Sequence, residues 1–182
     1  MTDCQPRRLF IGIKVVPEVA RDLAELARPL ERYGARLVPE GDIHLTLVPP
    51  WNEACMAGAT ERLRAALSGI DGFLLTFAHL GYGPTLRHPR LLWVDCVASK
   101  CLTDLWTVLM AAHGRRDPRP FRPHVTLARV PRNGRVVARV SPMDRDLLLT
   151  QDVTSVELFQ SPSKGQSGYT VVVSLPLGTA QG

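Results

Sequence analysis

Apolar positions change period along this chain, and the changes predict alternating strands and helices. Residues 9–16, LFIGIKVV, are rich in β-formers and alternate crudely, which predicts a strand closed by Pro17. From there Val19, Leu23, Leu26, Leu30 and Tyr33 recur at helical spacing up to Gly34, with Pro29 placed to kink or shorten the helix. HLTLVPPW, from residue 44, reads as a strand stopped by its double proline, and Met56, Leu63, Leu67 and Ile70 predict a second helix between Glu53 and Ser68. Residues 73–83 and 90–97 predict two strands joined by a proline-containing loop. Ser99 is placed to cap a third helix carrying Leu102, Leu105, Trp106, Leu109 and Met110, with Gly114 past its end. A basic connector at 115–123, RRDPRPFRP, leads into a further strand. A short helix is expected near 142–149, then strands at 153–160 and 169–177 around the loop SPSKGQSG. Hairpin-like strand pairs outnumber strand–helix–strand units, so the expected class is α+β with antiparallel sheet.

Composition changes this picture little. A chain of 182 residues can bury a substantial core, and one domain over 1–182 is expected. Its 45% apolar and 21% charged residues are ordinary for a globular protein. No apolar run approaches the roughly 18–20 residues that span a bilayer, and MTDCQPRR lacks the apolar segment of an export signal. A cytoplasmic protein without membrane contact, and a monomer, is the expectation. Cys4, Cys55, Cys96 and Cys101 form no CxxC pair and have no histidine at ligand spacing, so reduced thiols and no metal or cofactor are expected. The net charge of +5 favours a polyanionic partner without identifying one.

The chemistry lies in an echo. His44-Leu45-Thr46-Leu47 and His124-Val125-Thr126-Leu127 repeat one pattern eighty positions apart in a chain of five histidines. A chain this long holds roughly 0.2 His-x-Thr triplets by chance, and two with flanking apolar residues arise about once in a thousand such chains. Alternate residues of a strand share a face. Each segment therefore presents an imidazole beside a hydroxyl, with apolar residues behind. Two such segments facing one another suit a reaction at phosphorus. One imidazole can take a proton from water, the other can give one to the departing oxygen, and the hydroxyls can hold the phosphoryl oxygens.

With RLFIGIKVVP, IHLTL, PRLLWVDC, FRPHVTLAR and SVELFQSPSKGQSGYTVVVSLPL, the chain resembles the two-histidine phosphoesterase superfamily over residues 7–177. The finer match is to its RNA 2',3'-cyclic phosphodiesterase branch, the LigT-like proteins once described as 2'-5' RNA ligases. The resemblance implies a bilobal α+β fold, with two antiparallel sheets flanking a central cleft and helices outside. It implies metal-free hydrolysis of an RNA or nucleoside 2',3'-cyclic phosphate to a 2'-phosphate. His44 would then be the proton donor, His124 the proton acceptor, and Thr46 and Thr126 the phosphate-holding hydroxyls. It also implies substrate contacts from Phe10, Arg129 and Tyr82. Strict alternation from His124 points Arg129 to the opposite face, so its role requires the strand to end or bulge. Where relatives continue after the first motif in the manner of RFLG, this chain reads VPPWN. Joining RNA ends through a 2'-5' linkage, or non-catalytic nucleotide binding, are the alternative activities. His113, at the end of the third helix, is expected to be structural and favoured as a cation there, and Asp144, Asp146 and Asp152 do not pair with histidines at metal spacing.

Overall fold

The computed structural model describes residues 6–163 and 167–179. Nine strands and four helices form, in order, β1 (Arg7–Lys14), α1 (Pro17–Ala27), β2 (Arg36–Leu37), β3 (His44–Glu53), α2 (Met56–Leu67), β4 (Phe73–Gly83), β5 (Leu91–Cys96), α3 (Lys100–Ala112), β6 (His124–Arg129), α4 (Gly134–Val140), β7 (Asp144–Val153), β8 (Ser155–Gln160) and β9 (Thr170–Pro176). All strand pairings among them are antiparallel, in the order β7-β4-β5-β6-β3-β1-β8-β9, with β2 added to β6. The expected α+β class is what forms. The two expected sheets correspond to the halves β7-β4-β5-β6 and β3-β1-β8-β9 of one nine-stranded sheet, which meet at one registered pair, Leu45 opposite Val125.

Both residues of that pair are fully buried. They lie in a core shared with Leu9, Ile11 and Ile13 of β1, Leu23 of α1 and Leu105 and Leu109 of α3. Slipping either strand by one residue would turn this apolar set to solvent, so packing locks the register. A Leu45→Ala change at such a site costs about 2–5 kcal/mol.

Local chemistry explains most of the elements. Pro17 opens α1 as its first residue, where the missing N–H is no loss. Pro29 ends the α-helical geometry, and Arg28–Tyr33 continue as a 3-10 helix to Gly34, whose φ is 75°. Ser99 accepts from the Leu102 N–H at 3.3 Å and so caps α3.

Two expectations fail. The double proline does not stop β3, which runs on to Glu53. Pro49 and Pro50 fall where the β1 register skips between Val48 and Trp51, so neither is asked for a ladder N–H. The helix expected near 142–149 is instead the edge strand β7, while α4 lies earlier. Leu147, Leu149, Gln151 and Val153 of β7 are more buried than the residues between them, a period of two. The loop SPSKGQSG lies partly outside the described residues.

Candidate active site

The Leu45–Val125 pair builds the site. Neighbours of a strand residue point to the opposite face, so His44, Thr46, His124 and Thr126 emerge together from the face opposite the core. The pairing at Leu45 and Val125 sets His44 and Thr46 on one side of the cavity and His124 and Thr126 on the other. All four side chains line one cavity of about 820 Å³.

Each ring is oriented by the same device. His44 Nδ1 lies 2.7 Å from the Asp42 carbonyl oxygen and His124 Nδ1 2.8 Å from that of Arg122. A carbonyl only accepts, so each Nδ1 carries the hydrogen and each neutral ring keeps a lone pair on Nε2. Burial lowers the pKa of both histidines, because removing water penalises the imidazolium. The Asp42 carbonyl bond and Asp42 charge pull against this at His44, as the Arg122 carbonyl bond and Asp95 do at His124. A positive charge on His124 further opposes protonation of His44.

The surroundings differ. His44 sits among rings: Phe10 at 4.8 Å between centroids, Tyr169 at 5.1 Å and Phe159 at 5.4 Å. Phe10 and Phe159, cross-strand partners on β1 and β8, stack at 4.8 Å with planes 8° apart. Gly12 makes the close approach of β1 and β3 feasible, since a β-carbon there would lie 2.5 Å from the Leu45 carbonyl oxygen. His124 instead packs on Trp93, with centroids 4.2 Å apart. The Arg122 guanidinium lies over the same indole at 4.7 Å and makes a two-bond ion pair with Asp95, 2.9 Å for each bond. Trp93 has room because its cross-strand neighbourhood includes Gly83, where a β-carbon would fall inside the indole.

The remaining sequence-derived residues divide. Phe10 lines the cavity from the cleft face of β1, only 2% exposed. Arg129 also lines it, and the required bulge is present. Thr126 pairs with Trp93 and Ala128 with Leu92, so Leu127 is the extra residue and Arg129 returns to the cleft face. Tyr82 is not brought to the cavity. It is buried in the core, and its hydroxyl donates to the Ser141 carbonyl at 2.7 Å. Its place next to glycines on β4 had no pattern to say which face it takes.

The polar and aromatic cleft residues that escaped the sequence reading include Arg8, Arg36, Asp42 and Tyr169. Tyr169 follows the loop after β8 and its N–H donates to the Asp42 carboxylate at 3.1 Å. The only advance signal was its position in a segment already matched to the family. Trp51, the odd residue after the first motif, packs 5.3 Å from the His113 ring and donates to Glu53. His113 donates to the Leu109 carbonyl at 3.0 Å, and burial holds its pKa down, so it ends α3 as a neutral ring and not as the expected cation. His79 contacts Asp146 at 2.9 Å and Asp144 at 3.2 Å. Among the described residues no group of three or more His, Cys, Asp or Glu side chains could hold a metal ion, and the described cysteines are free. No helix among those residues is long and apolar enough to cross a membrane.

Comparison with known proteins agrees with this geometry. The sequence profile of the 2'-5' RNA ligase superfamily matches residues 15–161. The chain superimposes on TT0787 of Thermus thermophilus with a TM-score of 0.74 at 25% identity, covering 96% of this chain and 100% of that one. LigT of E. coli, complexed with NADP+, gives 0.74 and 25% over 95% and 99% of the two chains. Usb1 of Kluyveromyces marxianus shares the fold at 12% identity and a TM-score of 0.57, over 94% and 98%. No curated protein matched the sequence. With two HxTx strands joined at one pair and a profile match over most of its length, the chain belongs to the 2'-5' RNA ligase superfamily, as a LigT-like two-histidine phosphoesterase fold.

Proposed function

We propose that residues 1–182 act as one two-lobed, monomeric, cytoplasmic unit that hydrolyses a 2',3'-cyclic phosphate on RNA or a nucleoside to the 2'-phosphate. The observation that carries this reading is the Leu45–Val125 pair, which gathers two imidazoles and two hydroxyls on one cavity. LigT of E. coli is known in complex with 3'-AMP, which supports a nucleotide as the ligand class. In the reaction, water gives its proton to His124 Nε2 and its oxygen bonds to phosphorus. The bond from phosphorus to O3' breaks, and O3' receives a proton from His44 Nε2. Thr46 and Thr126 hydroxyls donate to the phosphoryl oxygens as charge develops there. Burial keeps both rings neutral in the empty cleft; the phosphate anion reverses this at one of them by favouring a nearby imidazolium. The assignment of donor and acceptor follows the family resemblance, since the hydrogen bonds treat the two rings alike.

The test is incubation with a nucleoside 2',3'-cyclic phosphate in excess chelator. The expected product is the 2'-phosphate at an undiminished rate; a 3'-phosphate, or loss of the rate to chelator, overturns the reading. End joining through a 2'-5' linkage is the same proton traffic with the 5' hydroxyl of a second strand in place of water. Supplying RNA with a 5' hydroxyl, and measuring joined product, separates the two.

A further inference from the structure

Outside the cleft, unpaired positive charge gathers at one end of the molecule. Arg87 and Arg90 in the loop between β4 and β5, Arg132 before α4, Arg135 and Arg139 on α4, and Arg145 at the start of β7 are all exposed. None of the six pairs with a carboxylate among the described residues. By contrast, Arg119 and Arg122 of the basic connector are neutralised by Asp117 and Asp95.

Packing brings these arginines onto one surface. The first residue of α4 is seated on the β4–β5 loop, where a β-carbon on Gly134 would fall 2.2 Å from the Pro89 carbonyl oxygen. The far end of α4 is held at Ser141, whose carbonyl accepts from the Tyr82 hydroxyl of β4 at 2.7 Å. Gly134 and Val137 face the protein, so Arg135 and Arg139 form an outward row beside the exposed Val136 and Val140. Arg145 lies opposite Leu80 of β4, which is buried on the same side as Tyr82, so it shares the α4 side of the sheet. Its flanking carboxylates, Asp144 and Asp146, lie opposite Gly81 and His79 on the other face, and both contact the His79 ring. Like charges four apart on a helix repel. A polyanion laid on this face converts that repulsion into charge-assisted, fork-shaped contacts.

The surface adjoins the cleft. β6 carries Thr126 in the cavity and leads to Val130, whose N–H donates to the Arg90 carbonyl at 2.8 Å. Those four residues make roughly 13 Å of strand at about 3.3 Å each. We propose that this arginine face binds the sugar–phosphate backbone of an RNA strand whose cyclic-phosphate end lies between His44 and His124. The proposal rests on the catalytic reading above and narrows it: the substrate class is an RNA of several nucleotides, not a free nucleoside cyclic phosphate. Contacts to phosphate position a strand without reading its bases, so binding is salt-dependent and indifferent to sequence. An anionic lipid surface carries similar charge, but α4 spans seven residues, about two turns, and the face offers Leu86, Val136 and Val140 to insert. Its place beside the cleft favours the RNA.

Binding is measured over a series of salt concentrations on ligands that cannot turn over: a nucleoside 3'-monophosphate and a single-stranded decanucleotide RNA ending in a 3'-phosphate. Wild type is expected to bind the decanucleotide about tenfold or more tighter, with log affinity falling against log salt by about 0.7 for each phosphate held. In the triple variant Arg132→Gln/Arg135→Gln/Arg139→Gln that advantage shrinks toward one, and the slope is shallower by about 2, three contacts at roughly 0.7 each. Mononucleotide affinity and melting temperature stay at their wild-type values, and the corresponding triple Arg→Lys variant keeps most of the advantage. Should the glutamine variant melt early, Arg87→Gln/Arg90→Gln provides the same test. No advantage in wild type, an unchanged advantage in the glutamine variants, or equal weakening of both ligands overturns the surface. So does tighter binding to phosphatidylglycerol vesicles than to the decanucleotide. Turnover separates this proposal from the catalytic reading. If a nucleoside 2',3'-cyclic phosphate is hydrolysed and a cyclic-phosphate decanucleotide gains nothing in kcat/KM, the surface fails and the hydrolase stands. If neither is hydrolysed while the arginine-dependent advantage in binding persists, the hydrolase reading fails and the surface stands.

Discussion

The two walls of the cleft carry the same HxTx pattern on antiparallel strands, and surround it with different side chains. His44 is enclosed by Phe10, Phe159 and Tyr169, with the Asp42 carboxylate as a nearby charge and no arginine ion pair packed on its ring. His124 is backed by Trp93 and an exposed Arg122–Asp95 ion pair, so its environment includes fixed charge. Equal motifs in unequal surroundings are a general route to an acid and a base from two copies of one residue: the environment separates what the side chain leaves equal.

The largest expected effect comes from removing either ring. His44→Ala and His124→Ala should each lower kcat by about 10²–10⁴-fold, and their residual pH–rate profiles tell the walls apart. Losing the donor His44 removes the alkaline limb, and losing the acceptor His124 removes the acid limb. The reverse pattern exchanges the two roles.

Each wall also depends on one glycine. Gly12→Ala drives a β-carbon against the Leu45 backbone, which cannot swing aside, while Gly83→Ala presses on the Trp93 side chain. Overpacking of this kind costs about 1–3 kcal/mol. Gly12→Ala is expected at the upper end in chemical denaturation, and Gly83→Ala to disturb the His124 resonance more than that of His44. Equal effects on both histidines would remove the distinction between the walls.

Acid should destabilise the fold through the buried histidines. His44, His113 and His124 have lowered pKa values in the folded chain, each mainly from desolvation, against 6.5 when unfolded. Between those values the unfolded state binds more protons, so their contribution is complete above 6.5 and is lost as pH falls through the folded values. Melting temperature should therefore drop from pH 7 to pH 5, and drop less in the double variant His44→Ala/His124→Ala.

The smallest effect is the most specific to one wall. Asp95→Asn leaves the Arg122 cation beside His124 and should lower its pKa, whereas Arg122→Gln leaves the Asp95 carboxylate and should raise it. Proton NMR titration reads both, and His44 should stay unmoved in each. Shifts of the same sign, or equal shifts at His44, contradict the ion pair as a local device.

Much of this was legible along the chain, for identifiable reasons. The periods of two and 3.6 revealed β1, α1, α2, α3, β4, β5 and β8 because those elements bury one face against a shared core. The 142–149 segment misled because its consecutive leucines, 147 to 149, have no decided period until β4 pairs with them. Tyr82 misled for a related reason. An aromatic between two glycines carries no facing information, and the core took it.

From the sequence alone came the chemistry: which side chains repeat, that each imidazole shares a strand face with a hydroxyl, and that their neighbours are apolar. Alternation along a strand is local and needs no partner to be read. Tertiary structure decided what stands next to what. The Leu45–Val125 ladder pair joins segments eighty residues apart, the extra residue Leu127 returns Arg129 to the cleft, and a two-residue strand sets Arg36 opposite it. Those relations are made by packing between distant strands, and no pattern within either strand encodes them.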